Sequence, residues 1–222
     1  MQMLCFDGIK YTVDNGVAVV CGFSEDVCDN IVIPSFINEN ISVVGIADKA
    51  FYKCQYIMSV SLPRSIEFIG VNAFAWCNSL KRIFMPTVRN IGDRAFMGCG
   101  RLSEIKFGPL LECVGDKAFA YCTSLVAIRF PDSMKYMGES IFEGCRHIRY
   151  VYIPSSVDEI KNGTFYACSS LCEVEVTDTI RYIDEYSFAY CTSIALPNFP
   201  QKTIINDNAF FGCDAIKVNC IA

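Results

Sequence analysis

The chain contains one histidine, His147, one tryptophan, Trp76, and no Cys-x-x-Cys pair, and each scarcity removes a class of function. Without a second histidine or paired cysteines, the ligand spacing of a structural zinc site is missing. General-base chemistry is left with few candidates, and neither a glycine-rich phosphate loop nor a nucleophile elbow occurs. No catalytic residue, metal site or cofactor is therefore expected, and the chain is read as not an enzyme. Long apolar runs are also absent: no stretch approaches the roughly 20 residues of a membrane helix, and Met1–Asp7 is too short an apolar start for a secretion signal. Charge is scarce as well, at 19% of residues with a net −5, and Lys and Arg are scattered. A nucleic-acid partner would need a basic face, and a membrane surface would need a basic amphipathic stretch, so neither is expected.

What the chain has in abundance is repetition. Eight times a phenylalanine precedes a cysteine by three residues, from Phe51/Cys54 through Phe74/Cys77, Phe96/Cys99, Phe119/Cys122, Phe142/Cys145, Phe165/Cys168 and Phe188/Cys191 to Phe210/Cys213. The phenylalanines recur every 22 or 23 residues. Such a period marks a solenoid, in which each repeat packs on its neighbours and the stacked interiors merge into one core. An aliphatic or Met side chain stands five residues before each Phe, from Ile46 to Ile205, and an Ile or Leu stands three after each Cys. The column six after Cys is aliphatic from Val60 to Val174, then becomes Pro197 and Asn219.

These columns predict local structure. In Ile83-Phe84-Met85 the apolar residues alternate with Arg82 and Phe84, the pattern of a short strand with one buried face. Pro63, Pro86, Pro131, Pro154 and Pro200 close their strands because proline has no N–H for the ladder. Gly70, Gly92, Gly115 and Gly138 are read as turns with positive φ, and Asp184 and Asn206 as the residues that tolerate it next best. The Ala-Phe-x-x-Cys segment predicts one helical or 3-10 turn on the convex side. At the N-terminus, two alternating runs flank Asp14-Asn15-Gly16, a strong hairpin signal. Residues 1–27 are read as a β-hairpin cap and 28–222 as a solenoid of about eight repeats.

Fourteen cysteines could suggest a disulfide framework. Cysteines at equivalent positions of adjacent rungs would lie about 5 Å apart with parallel Cα–Cβ vectors, whereas a bridge needs converging Cβ atoms. A ladder of free, buried thiols filling the same hole in each rung is expected instead, which suits a reducing compartment.

The string Ile91-Gly-Asp-Arg-Ala-Phe96-Met-Gly-Cys99, preceded by a strand, a proline and Val88, resembles the BspA-type (treponemal-type) leucine-rich repeat. The stretch from Ile31 to Ile46 resembles that family's first repeat, with a short insertion before the Ile-Gly turn. The resemblance implies a right-handed α/β-type leucine-rich repeat solenoid with short parallel strands on the concave face. It also implies adhesion: attachment to host extracellular-matrix or cell-surface proteins by a surface or secreted protein.

Strand alternation turns a two-column array toward the concave side, Ser59/Ser61, Arg82/Phe84, Glu104/Lys106, Ala127/Arg129, Tyr150/Tyr152, Glu173/Glu175 and Leu196/Asn198. Arg82, Phe84, Glu104, Lys106, Arg129, Tyr150, Tyr152, Glu173 and Glu175 are the candidate binding residues: aromatic and Arg side chains dominate interface hot spots, and the charges could select a partner. The bland reading is that they are ordinary cross-strand pairs, Lys106 beside Arg129 and Glu104 included. Two functions follow from different classes. One is a protein-recognition module, by resemblance an adhesin. The other is an intracellular scaffold that holds a partner or self-associates end to end, since the last strand column reaches Ala222 without a polar cap.

Overall fold

The computed structural model describes residues 2–24, 29–195 and 199–213, and they form a β-solenoid of stacked turns. Its N-terminal end is closed by three antiparallel strands, β1 (Gln2–Phe6), β2 (Ile9–Asp14) and β3 (Val17–Phe23). Asn15 and Gly16 both take left-handed φ between β2 and β3, the geometry of a hairpin turn. Asp7 and Gly8 do the same one turn earlier and add a strand that the alternation did not separate.

Among the described residues, each repeat as far as Ile183 contributes two short strands that run parallel to those of its neighbours, and the next contributes one. The first column, read in the sequence as the concave face, comprises β4 (Asn30–Val32), β7 (Ser59–Ser61), β9 (Arg82–Met85), β11 (Glu104–Phe107), β13 (Ala127–Arg129), β15 (Tyr150–Tyr152) and β17 (Glu173–Glu175). In the first repeat β5 (Phe36–Asn38) folds back antiparallel on β6 (Ile41–Ile46), which is the insertion read in the sequence. The second column continues from β6 through β8 (Phe68–Ile69), β10 (Asn90–Ile91), β12 (Cys113–Val114) and β14 (Tyr136–Met137) to β16 (Glu159–Ile160), β18 (Tyr182–Ile183) and β19 (Ile204–Ile205). Because β3 pairs parallel with β6, the cap is the first layer of this second sheet.

The second column was expected to be a glycine turn, and the glycines have a different purpose. Among Gly70, Gly92, Gly115 and Gly138 none has positive φ, nor has Asp184 or Asn206. A Cβ on Gly115 would lie 2.4 Å from Asp93 Oδ1 and 2.6 Å from its backbone nitrogen; one on Gly92 would lie 2.8 Å from the Gly70 carbonyl carbon. Glycine is there because adjacent rungs approach too closely for a side chain.

The Ala-Phe-x-x-Cys segment, expected as a helical turn on the convex side, corrects a second expectation: no helix or 3-10 turn forms among the described residues. The residues two before and two after each Phe from Phe51 to Phe188 take left-handed φ, as at Lys49 and Lys53, Asn72 and Trp76, or Lys117 and Tyr121. A left-handed residue every four positions breaks a helix. Backbone donors alternate instead. Ala50, Tyr52 and Cys54 N–H bond three residues back at 3.0–3.3 Å, while Lys49, Phe51 and Lys53 donate to Val71, Ala73 and Ala75 of the next rung at 2.7–2.9 Å. Half of the turn's donors thus join neighbouring repeats.

Inside, the phenylalanines stack from Phe23 through Phe51, Phe74, Phe96, Phe119, Phe142, Phe165 and Phe188 to Phe210, with ring centroids 4.9–6.0 Å apart. Cys5, Cys21, Cys54, Cys77, Cys99, Cys113, Cys122, Cys145, Cys168, Cys172 and Cys191 are free thiols. The column thiols donate to the carbonyl of the preceding rung's phenylalanine, Cys77 to Phe51 at 3.0 Å and Cys122 to Phe96 at 3.2 Å, and so on to Cys213 and Phe188 at 2.9 Å. This fills the hole and gives a second donor to a carbonyl that already accepts the N–H of the cysteine three residues on, as Phe51 does from Cys54, a role the spacing alone did not reveal. Burial drives the thiols of Cys77, Cys99, Cys122, Cys145, Cys168 and Cys191 upward, to about 12 at Cys99 and Cys145.

The ladders are interrupted twice, at staggered places. Among the described residues β11 and β13 do not pair, nor do β14 and β16. The bulkier Phe107 and Phe130 enter the core beside the first interruption, stacking at 5.4 Å. Convex bonds run through both, Phe119 N–H to Ile141 and Phe142 N–H to Thr164. Immediately before the second-column strands stand Glu67, Arg89, Glu112, Lys135, Asp158 and Arg181, alternating in sign from rung to rung. Glu112 bridges Arg89 and Lys135 at 2.7 Å each.

Candidate functional site

The first-column strands hold alternate side chains outward because the residues between them, Val60, Ile83, Ile128, Val151 and Val174, are buried. Register pairs Ser59, Arg82 and Glu104 in one outer column and Ser61, Phe84 and Lys106 in the other. Beyond the interruption, Ala127, Tyr150 and Glu173 continue the first and Arg129, Tyr152 and Glu175 the second. The nine candidate residues therefore lie on one face but in two groups. Leu196 and Asn198 lie outside the described residues.

The C-terminal group is bound to itself. The Arg129 guanidinium lies 3.9 Å from the centre of the Tyr152 ring and 3.9 Å from Glu175 Oε2, with Nη1 3.4 Å from the Tyr150 hydroxyl. Tyr150 donates its hydroxyl to Glu175, and that bond, more than burial, raises its phenol above the ordinary value. Tyr152 donates to Asp132 at 3.2 Å. Both tyrosines are half-buried rather than fully solvent-facing. Asp132, next to Pro131, was not among the candidates; its place at a strand end carries no periodic signal.

The N-terminal group is open. Ser59, Ser61, Arg82, Phe84, Glu104 and Lys106 line a shallow depression of about 470 Å³. Lys106 pairs with Glu104 of its own strand at 3.1 Å, and the interruption separates it from the ladder of Arg129. Among the described residues Arg82 has no side-chain hydrogen bond or ion pair, and Phe84, 51% exposed, has no ring partner. Glu173, at the other end of the face, is likewise exposed and unpaired. The face carries hydrogen-bonding and apolar groups, with no cluster of His, Cys, Asp and Glu able to hold a metal among the described residues.

The model of the BspA type leucine rich repeat region matches residues 23–122 and 89–217, in six copies. The chain belongs to that family. Leucine-rich repeats of this kind are generally non-enzymatic, protein-binding modules. Among solved structures, a leucine rich repeat protein of Treponema pallidum is similar, with 29% identity and a TM-score of 0.79 over 87% of this chain and 91% of that one. The pneumococcal vaccine antigen PcpA shares the fold, at 19% identity and a TM-score of 0.54 over 91% and 71%. No curated protein matches. No helix among the described residues is long and apolar enough to cross a membrane.

Proposed function

We propose that this leucine-rich repeat chain is a protein-recognition module whose ligand lies on the concave strands, centred on Arg82 and Phe84. The observation that carries the reading is the contrast between the two groups. Arg129, Tyr150, Tyr152 and Glu175 satisfy one another, whereas Arg82 and Phe84 sit beside an open depression with no intramolecular partner. An unpaired Arg next to an exposed aromatic ring is the composition of an interface hot spot, and Glu104 and Lys106 supply a polar rim. Attachment to a host matrix or cell-surface protein is the form of recognition to test first.

The experiment is label-free binding of the reduced chain to a panel of extracellular-matrix and cell-surface proteins, alongside Phe84→Ser, Tyr152→Ser and the double variant. The reading expects Phe84→Ser to abolish binding and Tyr152→Ser to weaken it less. Binding that survives the double variant would place the ligand elsewhere. A scaffold in a reducing compartment is the second reading, favoured by the free cysteines; absence of binding across the panel, with concentration-dependent self-association, would support it.

A further inference from the structure

Pairing within the concave face leaves two charges over. Glu104 is taken by Lys106, and Arg129 by Glu175. Arg82 and Glu173 have no ion-pair partner among the described residues, and both are exposed in the same outer column. The steps from Arg82 run through Glu104, Ala127 and Tyr150 to Glu173. At about 4.8 Å per strand they span about 20 Å, and the core stack keeps that spacing across the ladder interruption, with Phe96 and Phe119 rings 5.4 Å apart. Phe84, the one large unpartnered apolar group among the nine, lies at the cationic end. Between the two ends the face is crossed by small or mutually satisfied groups: Ala127, and the Tyr150 hydroxyl already spent on Glu175.

We propose that the concave face takes an extended dipolar peptide segment laid along the solenoid axis, with an acidic residue beside an apolar one at Arg82/Phe84 and a basic residue at Glu173. The proposal rests on the concave reading of the preceding subsection and names the partner's chemistry. Charge complementarity fixes the polarity, because a uniformly acidic segment would meet Glu173 and a uniformly basic one would meet Arg82. Extended chain rises about 3.3 Å per residue, so the two charges belong about six residues apart in the ligand.

The test is panning a phage-displayed library of random dodecapeptides against the wild-type chain and against the exchanged variant Arg82→Glu/Glu173→Lys, both shown to be folded by circular dichroism. Enriched wild-type binders should carry Asp or Glu next to a large apolar residue, with Lys or Arg five to seven positions away. The exchanged variant should move the basic residue to the apolar neighbour and the acidic one to the far end. No enrichment, enrichment without that spacing, or a pattern indifferent to the exchange would overturn the proposal. The matrix-protein panel stays a separate measurement: ligand binding lost in Phe84→Ser with no polarity in the peptides would sink this inference and leave the concave site standing.

Discussion

Truncating Phe119 to alanine tests whether the ring stack is the principal source of cohesion between repeats. Phe119 is fully buried, stacked between Phe96 at 5.4 Å and Phe142 at 6.0 Å, with Phe107 edge-on at 6.0 Å. A buried Phe→Ala change costs about 3–5 kcal/mol. Three ring contacts at about 0.5–1.5 kcal/mol each put this site at the upper end of that range. Phe210, the last ring of the stack among the described residues, is partly buried and touches Phe188 at 4.9 Å and Phe199 at 6.5 Å, so Phe210→Ala should cost about half as much. Domains are stable by about 5–15 kcal/mol in total, and in a solenoid each interface is shared only with neighbours. Phe119→Ala should therefore lower the urea midpoint markedly and split the transition, as the two halves lose their common junction. Urea melts followed by circular dichroism and by intrinsic fluorescence would show it. A loss below about 2 kcal/mol, or an equal loss at Phe210, would refute the stacked-ring account.

Gly115→Asn should destabilise more than Gly115→Ala in thermal melts, because space rather than positive φ is limiting; the reverse order would restore the turn reading. Stability should fall as pH rises above about 9. The buried thiols at Cys77, Cys99, Cys122, Cys145, Cys168 and Cys191 hold their protons in the folded state beyond the point where unfolded thiols release them, so above that pH the unfolded state binds fewer protons and is favoured. The window runs from the unfolded value of 9.0 to about 12 for Cys99 and Cys145, and a flat melting temperature across it would contradict the burial. A thiol reagent should label the exposed Cys5 and Cys172 rapidly in the native chain, and the Phe-x-x-Cys column from Cys54 to Cys191 only on unfolding; mass spectrometry of the adducts decides. Tyr11→Phe should be neutral or stabilise by about 1 kcal/mol, since the buried Tyr11 hydroxyl has no hydrogen-bond partner among the described residues; a loss above that would reveal one.

The repeat, the buried columns and the outward pairs were legible because they are periodic, and a period survives without any knowledge of neighbours. Phe84 was placed outward by the alternation alone, and it is outward. What the period hides is the relation between rungs. Gly115 looks the same in sequence whether it supplies φ or clearance, and only the position of Asp93 one rung earlier distinguishes them. The Phe-x-x-Cys turn is helix-length by spacing, yet its donors are drawn across to the next repeat. For the same reason the period marks nine candidate residues as equals. That Tyr150, Tyr152 and Arg129 spend their groups on one another while Arg82 and Phe84 do not depends on contacts between strands far apart in the chain.

The alternating column Glu67, Arg89, Glu112, Lys135, Asp158 and Arg181 has a consequence for how such a chain avoids assembling wrongly. Repeats this alike offer one another nearly interchangeable surfaces, and a rung that skipped its neighbour during folding would find the same phenylalanine and the same thiol waiting. It would not find the same charge. Skipping one repeat sets Glu67 against Glu112 or Arg89 against Lys135, and like charges on adjacent strands repel. The column acts as a parity check: any displacement by an odd number of repeats sets like charges side by side where the native order sets opposite ones, joined as ion pairs at Arg89, Glu112 and Lys135, so a sequence nearly uniform in its core still counts its own turns on its flank.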